Sequence, residues 1–296
     1  MQKYIDAEVI TVLAFQGAVK YVSNQLPIGV FDSGVGGLTV ASAIKAELPN
    51  ETITYFGDTA RCPYGDKTPE QVLEYSTEIC DFLVQRGVKM LVVACNTATA
   101  VALPTLQQRY HVPVLGVVRP GARAAVRATE TMRIGVIGTA VTVKSGVYER
   151  AIKSLLPKAE VYSLACPEFV PLVERGETSG KHVERIVQER LLPLQKRDID
   201  TLILGCTHYP HLESVIQRAV GDHVRLISSA YETAREVKAV LSDQAWTADR
   251  TEPAVDQYFT SGDGVRMEQA LQKWMRAWAD DAFVIHVGME SLTCSL

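Results

Sequence analysis

The feature that most limits the fold of this chain is the order of its apolar runs. Short stretches rich in Val, Ile and Leu, at 28–31, 52–56, 90–93 and 114–118 and again at 134–137, 161–164, 202–204 and 225–227, alternate with longer stretches of helical period. These runs show little polar alternation, as strands covered on both faces require. The stretch 69–85 opens with Pro69 and closes before Gly87, the punctuation of a helix. Strand–helix repeats of this kind predict an α/β protein with mostly parallel sheets.

The two halves also repeat one another. IGVFDSG from Ile28 matches IGVIGTA from Ile134, VVACNTA matches LILGCTH, and VLGVVRPGARAAV matches RLISSAYETAREV, at shifts of 106, 111 and 112 residues. Three anchors in one order at a near-constant shift predict a duplicated unit. We therefore expect two pseudo-symmetric α/β domains with the active site in the cleft between them. Residues 27–118 plus 236–296 would form the first and 119–235 the second. The tail, with a strand at 257–260 and a helix at 267–278, would return to the first domain. Residues 1–26 precede the first repeat and read as an N-terminal extension without an assigned function.

Charge narrows the partners. Thirty Lys and Arg against thirty-four Asp and Glu leave a net charge of -4, with no basic excess to attract a phosphate backbone, so nucleic acid is not expected as a primary partner. The apolar stretch 9–19 is too short for a membrane span, which needs about 20 residues, and contains Gln16. Asp6 and Glu8 stand where a secretion signal carries positive charge. Six cysteines, at 62, 80, 95, 166, 206 and 294, include no C-x-x-C pair and read as free thiols. A cytoplasmic protein with no membrane partner is the expectation.

The polar residues that follow the strands carry the chemistry. Asp32, Cys95, Thr139 and Cys206 each come directly after a strand run, at the sheet edge where open parallel sheets bind ligands. A single buried Cys there would be packing. Two at matching repeat positions read differently, because a pseudo-two-fold axis would set Cys95 and Cys206 against each other across a cleft. Each would lie at a helix start, where a thiolate is favoured and the amides and side chains of Asn96, Thr97, Thr207 and His208 can hold a carboxylate. Two thiols on opposite faces of one carbon suit racemisation, one removing a proton and the other returning one. Asp32 beside Cys95, and His208 with an acid such as Glu174 beside Cys206, are candidates to move protons.

Other features carry less. The loop DSGVGG at 32–37 lacks a complete nucleotide-binding glycine pattern and reads as a tight turn that brings backbone close to a small ligand. In RCPYG, backbone and Tyr64 are better ligand contacts than the Cys62 thiol. Cys206, His208 and His211 form no standard zinc spacing, so no metal is expected; His211 reads as surface and Cys80 as core. Cys294 reads as exposed and incidental.

PIGVFDSGVGGLTV, YFGDTARCPYG, ACNTATA, IGVIGT, CPEFVPLVE and LILGCTHYP, in this order over about residues 27–262, resemble the glutamate racemase family. The resemblance implies two α/β domains, no pyridoxal phosphate or other cofactor, no metal, glutamate as substrate, D-glutamate supplied to peptidoglycan synthesis, and a homodimer. It implies Cys95 and Cys206 as the acid/base pair. Asp32, Ser33, Tyr64, Gly65, Asn96, Thr97, Thr207 and His208 would bind substrate, and Asp32, Glu174 and His208 would assist proton transfer. Three rivals remain at this point: a racemase for aspartate or hydantoins, a thiol hydrolase built on Cys206 and His208, and a non-catalytic amino-acid binder.

Overall fold

The structure is a computed structural model that describes residues 10–15, 18–250, 255–279 and 282–293, with side-chain detail for 24–250, 255–279 and 282–292. Its strands are β1 (Ile10–Phe15), β2 (Ala18–Ser23), β3 (Ile28–Asp32), β4 (Ile53–Gly57), β5 (Met90–Val93), β6 (Val114–Gly116), β7 (Arg133–Gly138), β8 (Glu160–Ala165), β9 (Thr201–Gly205), β10 (Arg225–Ser228), β11 (Gln257–Thr260) and β12 (Phe283–His286). One sheet has the order β12-β11-β4-β3-β5-β6 and another β10-β9-β7-β8. Every neighbour in both sheets is parallel.

The duplication is visible in the topology. Read in chain order, β3–β6 and β7–β10 each arrange their four strands as 2-1-3-4. In such a sheet the chain switches direction between its first and third strands, and the crevice above their carboxyl ends is where ligands bind. Those switch points are β3/β5, which end at Asp32 and lead to Cys95, and β7/β9, which lead to Thr139 and Cys206.

Burial on both faces explains the unbroken apolar runs. In β3, Val30 faces a core with Leu38, Ile44, Tyr55 and Val92, while Phe31 faces another with Phe56, Ile79, Leu83 and Val93. The helix Pro69–Gln85 that covers this second face has the predicted bounds and is fixed by a Thr68/Gln71 capping box. The helix Ser229–Asp243 places Ala230, Ala234, Val237 and Leu241 in the first core. β11 then pairs with β4.

Three expectations need correction. The strand expected at 114–118 stops at Gly116, because Val118 starts the helix Val118–Ala128 and Pro120 sits in its first turn, where a missing N–H costs nothing. The helix expected at 267–278 starts earlier, at Gly264 behind the Asp263 cap, and ends at Trp274 before a short 3-10 turn. Residues 10–23, given no element from the sequence, hold the antiparallel pair β1–β2. Cys294 lies outside the described residues. Lys89 Nζ donates to the Asn24 carbonyl at 2.6 Å, so the chain is tied to the body before β3 begins.

Candidate active site

The two switch points meet across a narrow cavity of only about 10 Å³, lined by residues of both halves. Ser33, Tyr64, Gly65, Cys95, Asn96 and Thr97 come from the β3–β6 side. Thr139, Val170, Cys206, Thr207 and His208 come from the β7–β10 side. Asp32 and Glu174 stand just behind this lining and act on it through their neighbours.

Cys95 caps the helix Asn96–Arg109, its Sγ accepting from the Ala98 N–H at 3.4 Å and donating to Ser33 Oγ at 3.7 Å. Burial, with the nearby charge of Asp32, nevertheless pushes its pKa up to about 12, so the helix-start amide and Ser33 do not prevail.

Cys206 differs from the expectation. No α-helix starts at it: a 3-10 turn, Tyr209–Leu212, follows, with Pro210 in its first positions, and the helix Glu213–Val220 comes only after it. Its partner is instead His208, whose Nδ1 lies 3.8 Å from Cys206 Sγ. His208 is 2% exposed, and burial lowers its pKa, but the hydrogen bond and charge of Cys206 and the charge of Asp32 outweigh this and leave it raised. On the ring's other side, Nε2 meets Glu174 Oε1 at 2.5 Å. Glu174, His208 and Cys206 thus form a line in which a proton can be held or passed.

The polar residues knit the halves together. Thr207 Oγ1 donates to Asp32 Oδ1 at 3.2 Å, and Asp32 Oδ2 accepts from the Gly34 N–H. Burial raises the pKa of Asp32 against these bonds and the charge of His208. Thr97 shares hydrogen bonds with Thr139 and Thr142, and the Tyr148 hydroxyl donates to Asn96 Oδ1 at 2.6 Å. Asn96 Nδ2 is buried without a partner among the described residues, a donor free for a carboxylate. The Tyr64 hydroxyl is already committed to Asp58 Oδ2 at 2.5 Å, which leaves its ring and the backbone of Gly65 facing the cavity.

The glycine loop approaches protein as well as ligand. A Cβ on Gly36 would lie 2.6 Å from Thr207 Oγ1 and 2.7 Å from His208 Nδ1, so this glycine lets the first half press on the loop that carries Cys206. Gly36→Ala is expected to lower kcat at least about tenfold by displacing these groups, with thermal unfolding shifted by only a few degrees. Steady-state kinetics beside a melting curve checks this.

His211 is corrected from surface to packing: its ring stacks on Trp274 at 4.0 Å between centroids, and burial with the charges of His208 and Lys273 lowers its pKa to about 4. It therefore does not join Cys206 and His208 around an ion. The donor atoms that do converge, within 4.8 Å of one another, belong to Cys62, Glu174 and His208, but Glu174 is taken by His208 and Arg266. Cys80 is core as expected. Sequence reasoning missed Thr142, Tyr148 and Arg266, and left Thr139 without a role. Thr139 had a signal, since the repeat aligns it with Ser33; the others stand outside the motifs and had none.

Comparison with known proteins accords with this geometry. The model of the Asp/Glu/Hydantoin racemase family matches residues 37–237. A glutamate racemase of Exiguobacterium sibiricum is 52% identical over 248 residues, 84% of this chain and 92% of that one. The chain belongs to the Asp/Glu/Hydantoin racemase family. Among solved members, a glutamate racemase of Bacillus anthracis superposes with a TM-score of 0.86 at 45% identity, covering 90% of this chain and 98% of that one. One of Francisella tularensis, solved in complex with D-glutamate, superposes with a TM-score of 0.82 at 31% identity, covering 88% and 98%. Like these racemases, the chain is an amino-acid isomerase with two α/β halves. No helix among its described residues is long and apolar enough to cross a membrane.

Proposed function

We propose that this racemase interconverts L- and D-glutamate, with Cys95 and Cys206 as alternate base and acid on opposite faces of the α carbon. The observation that carries the reading is that both thiols line one narrow cavity, each from its own half, at equivalent points of a duplicated fold. A hydrolase would need one of them and a binder neither. The substrate's α-ammonium would offset the burial that holds Cys95 protonated, and Asp32 would hold that ammonium and take part in passing its charge. Ser33, Asn96, Thr97, Thr139 and Thr207, with the Gly65 backbone, offer the hydroxyl, amide and N–H groups that two carboxylates need. On the other side, His208 held by Glu174 would set the charge state of Cys206.

The choice of glutamate is supported by the relatives' names at about half identity over most of the chain. Supply of D-glutamate to peptidoglycan, a cytoplasmic location and a homodimer belong to the same reading. Purified protein incubated with L-glutamate, and separately with L-aspartate, in the presence of a chelator and without pyridoxal phosphate, should lose optical activity only on glutamate. Turnover of aspartate alone would overturn the substrate assignment. Light scattering that returns the mass of one chain would overturn the dimer.

A further inference from the structure

Arg266 lies outside every motif that marks the site, yet it grips the group that holds the imidazole. It sits on the helix Gly264–Trp274 of the tail, and its guanidinium pairs with Glu174 Oε2 while its Nη2 also donates to the Glu174 carbonyl at 3.4 Å. Glu174 ends the helix Phe169–Glu174 of the second half, and its other oxygen contacts His208 Nε2. The chain of contacts therefore runs from tail helix to carboxylate to imidazole to Cys206 thiol. A carboxylate at a helix end, 16% exposed, has rotamers that lead to water. The planar guanidinium removes that freedom by holding one oxygen and the backbone together.

We infer that Arg266 is a positioning residue for the Cys206 side of the reaction: it latches the tail helix to Glu174 and so keeps the carboxylate on His208. This rests on the two-thiol reading above. The helix itself does not depend on Arg266, because Met267, Ala270 and Leu271 bury its other face in the protein core. Losing the guanidinium should therefore free Glu174 without detaching the helix. The groups facing His208 are Cys206, Asp32, Glu174, Cys62 and His211, and release of the Glu174 carboxylate and loss of a nearby positive charge would move its titration in opposite directions.

The test is Arg266→Ala, with Arg266→Lys and Arg266→Ala in a Glu174→Gln background. In the full-length protein, an NMR titration of the His208 ring should move to lower pH in Arg266→Ala, because a released carboxylate no longer stabilises the imidazolium. If Arg266 acted merely as a nearby positive charge, its removal would move the titration upward, which overturns the latch. Arg266→Ala should lower kcat about tenfold and Lys should restore part of it. The α-deuterium isotope effect on kcat/KM should rise for one enantiomer, the same one affected by Glu174→Gln. The same substitution should cost nothing further once Glu174 is Gln. An isotope effect raised equally for both enantiomers, or additive losses, would overturn the inference while the racemase reading stood. A wild-type protein inert on glutamate would overturn the reading and this inference with it, whatever the titration showed.

Discussion

Cys95→Ala and Cys206→Ala are each expected to lower racemisation by about 10²–10⁴-fold, the range for a lost general acid or base, with the circular dichroism spectrum and melting temperature close to wild type. Both thiols are almost fully buried, at 5% and 7% exposure, and each loses only one sulfur on truncation. Neither thiol ties the fold together: Cys95 contacts Ser33 and the Ala98 amide, and Cys206 contacts His208. The two losses should not add. One proton must leave and one must arrive in every turnover, so the double variant should be little worse than either single one. A single variant that keeps a third of the wild-type rate would remove that thiol from the reaction.

The second large effect concerns stability and lies far from the cleft. Lys89 and Glu51 are 0% and 1% exposed and meet at 2.6 Å, with Lys89 also donating to the carbonyls of Asn24 and Trp246. Glu51 Oε1 accepts from the Ala248 N–H at 2.8 Å, so this pair joins strand ends of the first sheet to the tail. Lys89→Met would strand a buried carboxylate and two carbonyls, at a cost of about 3–5 kcal/mol. For a chain of this size that corresponds to a fall of roughly ten degrees in melting temperature. Lys89→Met with Glu51→Gln should recover much of the loss. Equal melting of wild type and Lys89→Met at neutral pH would contradict this.

Much of the fold could be read from the sequence because strands covered on both faces leave unbroken apolar runs, as in β3, β5 and β9. β12 could not, since Phe283 and Ile285 are exposed and its four residues lie at the sheet edge. The candidate site was legible where chemistry follows a strand and recurs at the repeat spacing, which picks out Cys95 with Cys206 and Ser33 with Thr139. It was not legible where residues distant in sequence meet through packing. Arg266 reaches Glu174 across 92 positions, and Tyr148 reaches Asn96 across 52. The helix-start argument for thiolates also failed at Cys206, where Pro210 and a 3-10 turn intervene and a histidine takes the helix's place. At Cys95 the helix start is present but burial outweighs it, a balance that needs the narrow cavity to be seen.

Two different groups that exchange protons on opposite faces of one carbon leave their mark on early-time turnover of L-glutamate in D2O. D-glutamate should carry solvent deuterium at the α carbon while the recovered L-glutamate stays protiated. Deuterium appearing equally in both enantiomers from the first turnovers, or D-glutamate that retains the substrate's own proton, would show a single base serving both faces and contradict the pairing of Cys95 with Cys206.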